Sequence, residues 1–408
     1  MNQTTSAPLR SGFVLLGPAF VAAIAYVDPG NVAANVSAGA QYGFLLVWVI
    51  VMANVMAGLV QYLSAKLGLV TGRSLPEAVA DHTRRRTRIV YWMQAELVAM
   101  ATDLAEVVGG AIALYLLFDL PLLLGGIITG AVSLVLLLVQ DRRGQRMFER
   151  VITGLLLIIT IGFVTSLAVA PPSIDQVAPG LVPMFDGAES VLLATAMLGA
   201  TVMPHAVYLH SGLARDRHGH PEAGAPRKRL LQITKWDVTL AMLVAGAVNL
   251  SMLLVAATNL QGRENTDSIE GAYAAVQDTL GSTIALFFAI GLLASGLAST
   301  SVGAYAGAMI MDGLLKVSVP LLLRRLVTLI PALVILGVGF DPSRALVLSQ
   351  VVLSFGIPFA LIPLVRLTSD KQLMGADVNH RATTSFGWIV AGLISVLNVV
   401  LIYLTVTG

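Results

Sequence analysis

The chain has 408 residues, of which 56% are hydrophobic and only 12% are charged, and its mean hydropathy is +0.83. Soluble domains carry about 25% charged residues, so this composition excludes an ordinary soluble protein. The chain contains no cysteine, which excludes a disulfide framework and a thiolate metal site. The formal net charge of +2 gives no indication of a particular partner. The sequence is typical of an integral membrane protein.

Apolar blocks of about 18 to 25 residues recur along the whole chain, which is the length that crosses ~30 Å of hydrocarbon as a helix. These blocks predict eleven spans. In chain order the predicted spans are 11–39, 44–65, 89–117, 121–139, 151–170, 188–212, 236–258, 280–311, 318–339, 344–365 and 386–406. We therefore predict an all-α integral membrane fold that forms a single transmembrane domain over residues 1–408.

Basic residues orient the predicted spans, because short cytoplasmic loops collect Lys and Arg. If the N-terminus is cytoplasmic, 23 of the 25 Lys and Arg residues lie inside, and only Arg263 and Arg344 lie outside. A missed or extra span would invert every later loop and destroy this split. The pattern predicts a cytoplasmic N-terminus and an outward C-terminus. Eleven spans with short loops favour a bacterial inner (plasma) membrane.

Two of the predicted spans are interrupted by proline. The first contains AYVDPGNVAAN at 25–35, and the sixth contains LGATVMPHAVYLHS at 198–211. Proline removes a backbone donor and clashes with the preceding turn, so both helices should be broken there. Unwound backbone at membrane depth is tolerated only where it is buried in protein or lines a cavity. The breaks therefore indicate a binding site and not a simple kink.

The two breaks lie at equivalent positions in the chain. Pro29 and Pro204 are each near the middle of the first helix of a five-span set. Because five is odd, the two sets have opposite topology, which is typical of inverted-repeat transporters with discontinuous helices. We predict a first repeat at 1–170, a second at 186–366 and an additional eleventh helix at 386–408.

The side chains beside the breaks are candidate metal ligands. A lone anion at Asp28 would cost about 2.5 to 3.5 kcal/mol at mid-bilayer, a penalty that a cation or a proton removes. Asn31 adds a neutral carbonyl oxygen, and Met203 adds a thioether, which a transition metal uses better than Mg²⁺ or Ca²⁺. Oxygen ligands with one thioether predict a site for a borderline divalent ion. For Met203, ordinary core packing is the alternative.

The third predicted span carries three acids, Glu96, Asp103 and Glu106. They lie within an arc of about 80° and climb about 15 Å along a helix. Intramembrane acids mark proton relays or ion-paired structural elements, and both interpretations stay open. The candidate partners of these acids are His205, Arg324 and Arg325. For the two arginines the alternative is that each extends its side chain to the membrane surface.

DPGN at 28–31 and MPH at 203–205 resemble the paired signatures of the Nramp family, the proton-coupled divalent metal transporters. YLHS at 208–211 and SQVVLSFGIPFALIPL at 349–364 extend the resemblance, which covers essentially the whole chain. Ala206 departs from the family pattern, in which many relatives carry Asn. The resemblance implies a LeuT-like fold and import of Mn²⁺ or Fe²⁺, with tolerance for Co²⁺, Cd²⁺ and sometimes Zn²⁺. These ions would be substrates, and no cofactor is expected.

The resemblance also implies roles for individual residues. The implied metal ligands are the side chains of Asp28, Asn31 and Met203 and the backbone carbonyls of Ala25 and Ala200. Gln350 would join them in some states, although by sequence it could equally form an interhelical hydrogen bond. The implied proton pathway comprises Asp28, His205, Glu106, Asp103, Arg325, Arg324 and Glu96. His210 is either an inner gate or a structural cap on the sixth span.

Other classes of function are weighed against metal transport. The nearest is a sodium-coupled transporter of amino acids or another organic solute with the same fold. An intramembrane enzyme is disfavoured because H-E-x-x-H and G-x-S-x-G are absent. A passive channel or a non-transporting sensor is not distinguished by sequence. The expected partners are the metal ion, protons and the lipid bilayer, without nucleic acid or an obligate protein partner.

Overall fold

The computed structural model describes residues 17–143, 145–263, 268–317 and 319–407. Side chains are described for these residues except 136–143, 145, 146, 148, 321 and 322. Residues 11–16 of the first predicted span lie outside the described part. Within that part the secondary structure is helical throughout.

The helices of the described residues are numbered here in chain order. They are α1 (Pro18–Ile24), α2 (Pro29–Tyr42), α3 (Val47–Thr71), α4 (Leu75–Asp81), α5 (Arg85–Phe118), α6 (Leu122–Arg143), α7 (Gln145–Val169), α8 (Ile174–Val177), α9 (Gly187–Thr201), α10 (Pro204–His218), α11 (Ala225–Asn259), α12 (Ile269–Leu280), α13 (Ser282–Leu315), α14 (Leu321–Gly337), α15 (Pro342–Thr368), α16 (Lys371–Met374) and α17 (Arg381–Thr407). A 3₁₀ turn, Ala25–Val27, joins α1 to α2.

Eight helical segments of the described chain are long and apolar enough to cross a membrane. They are α3, α5, α7, the α9–α10 pair, α11, α13, α15 and α17. The other three predicted spans coincide with α1 and α2, with α6 and with α14, whose described apolar parts are shorter. The multi-pass helical architecture is therefore confirmed, and the count of eleven spans stays a prediction.

Several helices are longer than the spans predicted from sequence. α5, α11 and α13 contain 34, 35 and 34 residues. At 1.5 Å per residue they measure about 50 Å, well beyond the ~30 Å of hydrocarbon. The predicted bounds of 236–258 were too short for α11, which begins at Ala225. Charged residues mark where the membrane ends, but the backbone hydrogen bonds of the helix continue into the polar region.

The two interrupted helices lie at the centre of the bundle. α2 packs against α11, α9 and α15, and α10 packs against α3, α13 and α15. α5 packs along α13, and both approach the central helices. At the breaks, the side chains of Asp28, Asn31 and Met203 are fully buried. The surrounding helices thus screen the unwound backbone from lipid.

Two glycines allow neighbouring helices to approach the breaks closely. A Cβ atom added at Gly109 of α5 would lie 2.0 Å from the Pro29 Cβ atom. A Cβ atom added at Gly199 of α9 would lie 2.0 Å from the backbone oxygen of Gln350 on α15. Small residues at such crossings are what allow membrane helices to pack with their backbones in contact. The position of Gln350 beside the first break depends on this contact.

We predict that Gly199→Ala destabilises the protein, because the added methyl group overlaps backbone that cannot move independently. Overpacking of this kind costs about 1 to 3 kcal/mol. The measurement is the thermal unfolding midpoint in detergent. Gly154→Ala on α7 is the matched control, since a Cβ atom there meets nothing within 4 Å. Equal midpoints for the two variants would contradict the packing described here.

Candidate metal site

The first break is a helix restart built by the sequence DPGN. Asp28 has extended backbone, with φ −70° and ψ 166°, and Pro29 is the first residue of α2. Proline suits that position because its missing N–H would have no partner in the helix. The Asp28 Oδ1 atom accepts a hydrogen bond of 2.7 Å from the backbone N–H of Asn31, as an N-cap residue does. The cap fixes the Asp28 carboxylate at the break.

The second break has the same backbone design. α9 ends at Thr201, and Met203, with φ −64° and ψ 118°, precedes α10. Pro204 is the first residue of α10, but here no side chain caps the helix. The Met203 side chain is fully buried. The carboxylate of the first break is thus replaced by a thioether at the equivalent position of the second.

A hydrogen bond joins the two breaks directly. The Asn31 Nδ2 atom donates to the Ala200 backbone oxygen at 3.0 Å and to the Tyr26 backbone oxygen at 2.6 Å. Ala200 belongs to the last turn of α9, so this hydrogen bond joins two residues that are 169 positions apart in the sequence. Both carbonyls lie at helix ends, where backbone oxygens have no partner in their own helix. A backbone oxygen at the second break therefore receives its hydrogen bond from a side chain at the first break.

Gln350 of α15 completes the contacts of the Asp28 carboxylate. Its Nε2 atom donates to Asp28 Oδ2 at 3.3 Å and to Ser349 Oγ at 3.2 Å. Its Oε1 atom is buried and has no hydrogen-bond partner within the described residues. The amide thus forms an interhelical hydrogen bond through nitrogen and leaves an oxygen acceptor unused. Both interpretations of Gln350 fit this geometry, and its role as a ligand stays a prediction.

The structure brings most of the predicted metal ligands together. Asp28, Asn31, Ala200 and Gln350 are linked by the hydrogen bonds above, and Ala25 lies buried in the 3₁₀ turn. No cluster of three or more His, Cys, Asp or Glu residues that could hold a metal occurs in the described part of the chain. The predicted donor set contains only one residue of those types, so it relies on amide, carbonyl and thioether atoms instead. Such mixed donors suit a borderline divalent ion.

The acids of α5 are paired with arginines of α14. Arg325 forms an ion pair with Asp103, and its Nε atom donates to Ser133 Oγ at 3.2 Å. Arg324 contacts Glu96 through Nη2 at 3.1 Å. The two arginine residues are only 1% and 6% exposed. Both side chains are directed to the acids of α5 and not to solvent, as the ion-paired interpretation predicts.

Glu106 has the least compensated carboxylate of the three acids. Its side chain is fully buried, and neither oxygen has a hydrogen-bond partner within the described residues. The nearest cationic group is Arg325 Nη1, at 3.9 Å from Glu106 Oε2. Burying an ionised carboxylate without hydrogen bonds is costly, and a proton on the carboxyl removes most of that cost. Glu106 is thus placed where a proton is stabilising.

The two histidines of α10 have different surroundings. His205 Nδ1 lies 3.3 Å from Thr102 Oγ1, next to Asp103 on the acidic helix. His210 Nδ1 lies 2.6 Å from Gln61 Oε1, and Gln61 Nε2 donates to the Tyr26 hydroxyl. His210 is buried inside α10, which continues beyond the predicted span to His218, and the structural interpretation stays a prediction. A role for it as an inner gate stays a prediction.

Sequence reasoning missed several polar residues around the breaks. Asn249 Nδ2 donates to the Tyr26 backbone oxygen at 2.8 Å, and Asn35 Nδ2 lies 3.3 Å from Asn249 Oδ1. Asp237 accepts hydrogen bonds of 3.0 Å from the backbone N–H groups of Gly17 and Ala19, at the start of α1. Asn35 and Asn249 are polar residues inside apolar stretches, which is rare in membrane helices and usually meaningful. That signal was available in the sequence.

The fold and the site together define a multi-pass helical membrane protein in which two interrupted helices meet at a buried polar centre. Residues 19–404 match the family model described as Natural resistance-associated macrophage protein-like. The chain is 71% identical over all its 408 residues to the divalent metal cation transporter MntH of Mycobacterium tuberculosis, of which it covers 95%. The chain belongs to the Nramp family.

Solved structures give the same assignment. The Eremococcus coleocola manganese transporter superposes with a TM-score of 0.86 at 31% identity, covering 98% of this chain and 89% of that one. Mhp1, a nucleobase-cation-symport-1 family transporter, matches with a TM-score of 0.62 at 16% identity, covering 95% and 90% of the two chains. The second likeness shows only the fold. The predicted LeuT-like architecture with two discontinuous helices is therefore confirmed.

We predict that the buried pair of Arg325 and Asp103 is strongly coupled. Asp103→Asn removes the nearer of the two carboxylates that Arg325 contacts and leaves only Glu106 at 3.9 Å, and removing one partner of a buried pair costs about 3 to 5 kcal/mol. The double variant Asp103→Asn with Arg325→Gln should lose less stability than the two single variants combined. Thermal unfolding of the four proteins measures this coupling. Strictly additive losses would show that the two groups do not interact.

Proposed function

We propose that this protein imports divalent transition metal ions, with Mn²⁺ as the main substrate and Fe²⁺, Co²⁺ and Cd²⁺ as further ones. Import is coupled to protons and proceeds by alternating access. The observation that carries the proposal is the hydrogen bond between Asn31 and Ala200, which puts the Asp28 break and the Met203 break of one chain side by side. Family membership supports it, since the matching relatives are named as metal transporters and not as enzymes.

In this proposal the metal ion lies between the two breaks. Its ligands are the side chains of Asp28, Asn31 and Met203, the carbonyl oxygens of Ala25 and Ala200, and Gln350 in some states. In the described arrangement the Asn31 amide nitrogen, and not its oxygen, faces Ala200. Metal binding therefore requires the amide to turn, which releases the Ala200 carbonyl as a second ligand. The ion is a substrate, and we propose no cofactor.

The ion would reach the site through a cavity at the ends of α2, α9 and α15. This cavity has a volume of about 310 Å³ and is lined by polar residues that include Ser37, two acids, Glu189 and Asp341, and one base, Arg344. The proposed orientation, with a cytoplasmic N-terminus in a bacterial plasma membrane, makes this the outer side. Acidic residues at the mouth of a cavity concentrate cations there.

At the opposite end the path is closed by contacts between helices. His210, Gln61 and Tyr26 form one chain of hydrogen bonds that connects α10, α3 and the 3₁₀ turn. Asp237 of α11 holds the start of α1. Release of the ion to the cytoplasm would require these contacts to break as α1 and α10 move. They are therefore the proposed inner barrier.

The energetics favour import. A dication that moves down a negative-inside potential gains about 4.6 kcal/mol per 100 mV. Protons would leave the site along α5, from Glu106 and His205 past Asp103 and its arginine partner, and then past the pair of Glu96 and Arg324. Because Glu106 is buried and has the weakest pairing of the three acids, it is the first acceptor in this proposal. The remaining acids are already paired and guide the proton inward.

We expect Asp28→Ala to reduce Mn²⁺ uptake into proteoliposomes by roughly tenfold or more, since it removes the only anionic ligand in the proposed set. Asp175→Ala is the matched control, because Asp175 is exposed and belongs to the short helix α8, not to either interrupted helix. Uptake at the full rate by Asp28→Ala would contradict the proposed site. Inhibition of Mn²⁺ uptake by excess amino acids would instead favour the organic-solute transporter.

We expect Met203→Ala to reduce Cd²⁺ uptake more than Mn²⁺ uptake and to leave Mg²⁺ uptake unchanged or relatively increased. The reason is that a thioether stabilises soft ions and adds little for hard ones. Met197→Ala, which is equally buried but lies within α9 and not at the break, is the control for lost packing. If the two methionine variants change the ion preference equally, the sulfur atom is not a ligand.

A further inference from the structure

A groove with basic and apolar walls lies at the end of the bundle where α5 begins and α13 ends. We call it the basic groove; its volume is about 250 Å³, and it is lined by Arg85, Arg88, Ile89, Leu314, Leu315 and Val317. It is remote in sequence from the breaks, and none of its residues has a part in the proposed transport path. It therefore calls for a separate explanation.

The two arginines of the basic groove lack a counter-ion among the residues that the structure describes. Within the described residues, neither Arg85 nor Arg88 forms an ion pair, and Arg88 Nε is shielded from solvent without any hydrogen-bond partner. The nearby Asp81 is already paired with Arg73. Lys316, the residue after α13, lies in sequence between the lining residues Leu315 and Val317 and adds another positive charge to this segment. The groove thus attracts an anion that can accept hydrogen bonds from guanidinium groups.

The remaining walls of the groove are apolar and continue onto the lipid-facing side of α5. Ile89, Met93 and Leu97 follow at four-residue intervals on one face of the helix, and they are 38%, 59% and 59% exposed. From Arg85 to Leu97 the helix rises about 18 Å. One leaflet contributes about 15 Å of the hydrocarbon core. A head group at the arginines and an acyl chain along this stripe therefore match the depth of one leaflet.

We propose that the basic groove binds one anionic phospholipid from the adjacent leaflet. Arg85 and Arg88 hold the phosphate, and an acyl chain lies along Ile89, Met93 and Leu97. Basic pockets between membrane helices are suited to such head groups. A free phosphate or a soluble phosphorylated compound would use the arginines but would leave the apolar walls without a partner. The lipid would connect the start of α5, the helix that carries the acids, to the end of α13.

The test measures lipid binding to the purified, delipidated full chain by native mass spectrometry. We expect dioleoyl phosphatidylglycerol to bind about tenfold more tightly than dioleoyl phosphatidylcholine. Arg85→Gln with Arg88→Gln should abolish this preference. Arg84→Gln with Arg86→Gln is the matched control, because it removes the same charge from adjacent exposed residues that do not line the groove. This control should retain the preference.

Three outcomes would overturn the proposal: no preference for phosphatidylglycerol in the wild-type protein, equal loss in the two double variants, or displacement of the lipid by millimolar inorganic phosphate. The last outcome would identify a plain phosphate site. Ile89→Asn tests the acyl-chain contact and should weaken phosphatidylglycerol binding while leaving the arginines in place. If the arginine-to-glutamine variant does not fold, the lipid competition on the wild-type protein and Ile89→Asn still decide the question.

Discussion

The constraint on which this structure depends is the need to satisfy backbone groups where two helices are interrupted inside a membrane. No water is available in the hydrocarbon core, so each freed carbonyl must find a donor within the protein. The Asn31 amide donates a hydrogen bond to the Ala200 carbonyl, across the two halves of the chain. Asn249 and Asn31 both donate to the Tyr26 carbonyl, and the Ser295 hydroxyl donates to the Val27 carbonyl. The polar side chains at the centre of the bundle therefore stabilise the breaks, because they hydrogen-bond to backbone groups that lipid cannot satisfy.

That constraint also explains why the centre is suited to hold an ion. Side chains that hydrogen-bond to backbone at a break carry oxygen atoms of their own, and some remain unused, such as Gln350 Oε1. Around them the bundle is closely packed, with glycines at the nearest crossings, so the polar atoms keep fixed positions. A fixed set of oxygens near one carboxylate is the arrangement in which a cation replaces its hydration shell at the lowest reorganisation cost.

The breaks were predictable from sequence because their signals are local. DPGN contains an N-cap residue followed by proline at the first helical position, and the proline of MPH is likewise the first residue of its helix. The ends of α11 were not predictable, because charged residues mark the membrane boundary and not the residue at which the backbone hydrogen bonds of the helix end. The contact of Gln350 with Asp28 depends on the close approach of α15 to Gly199 of α9. This approach is a tertiary contact, and neither segment carries a local sequence signal for it. The short helix α4 was overlooked although Ser74 and Glu77 form a capping box.

The seven-residue helix α1 is held at both of its ends by short-range contacts. A 3₁₀ turn joins it to α2, and at its other end two backbone N–H groups are held by the single carboxylate of Asp237. Hydrogen bonds to a charged group contribute about 1.5 to 3 kcal/mol each, which is small compared with the packing of a full-length membrane helix. α1 is also packed against α7, α10, α11 and α13, so its movement requires this packing to break together with the hydrogen bonds to Asp237.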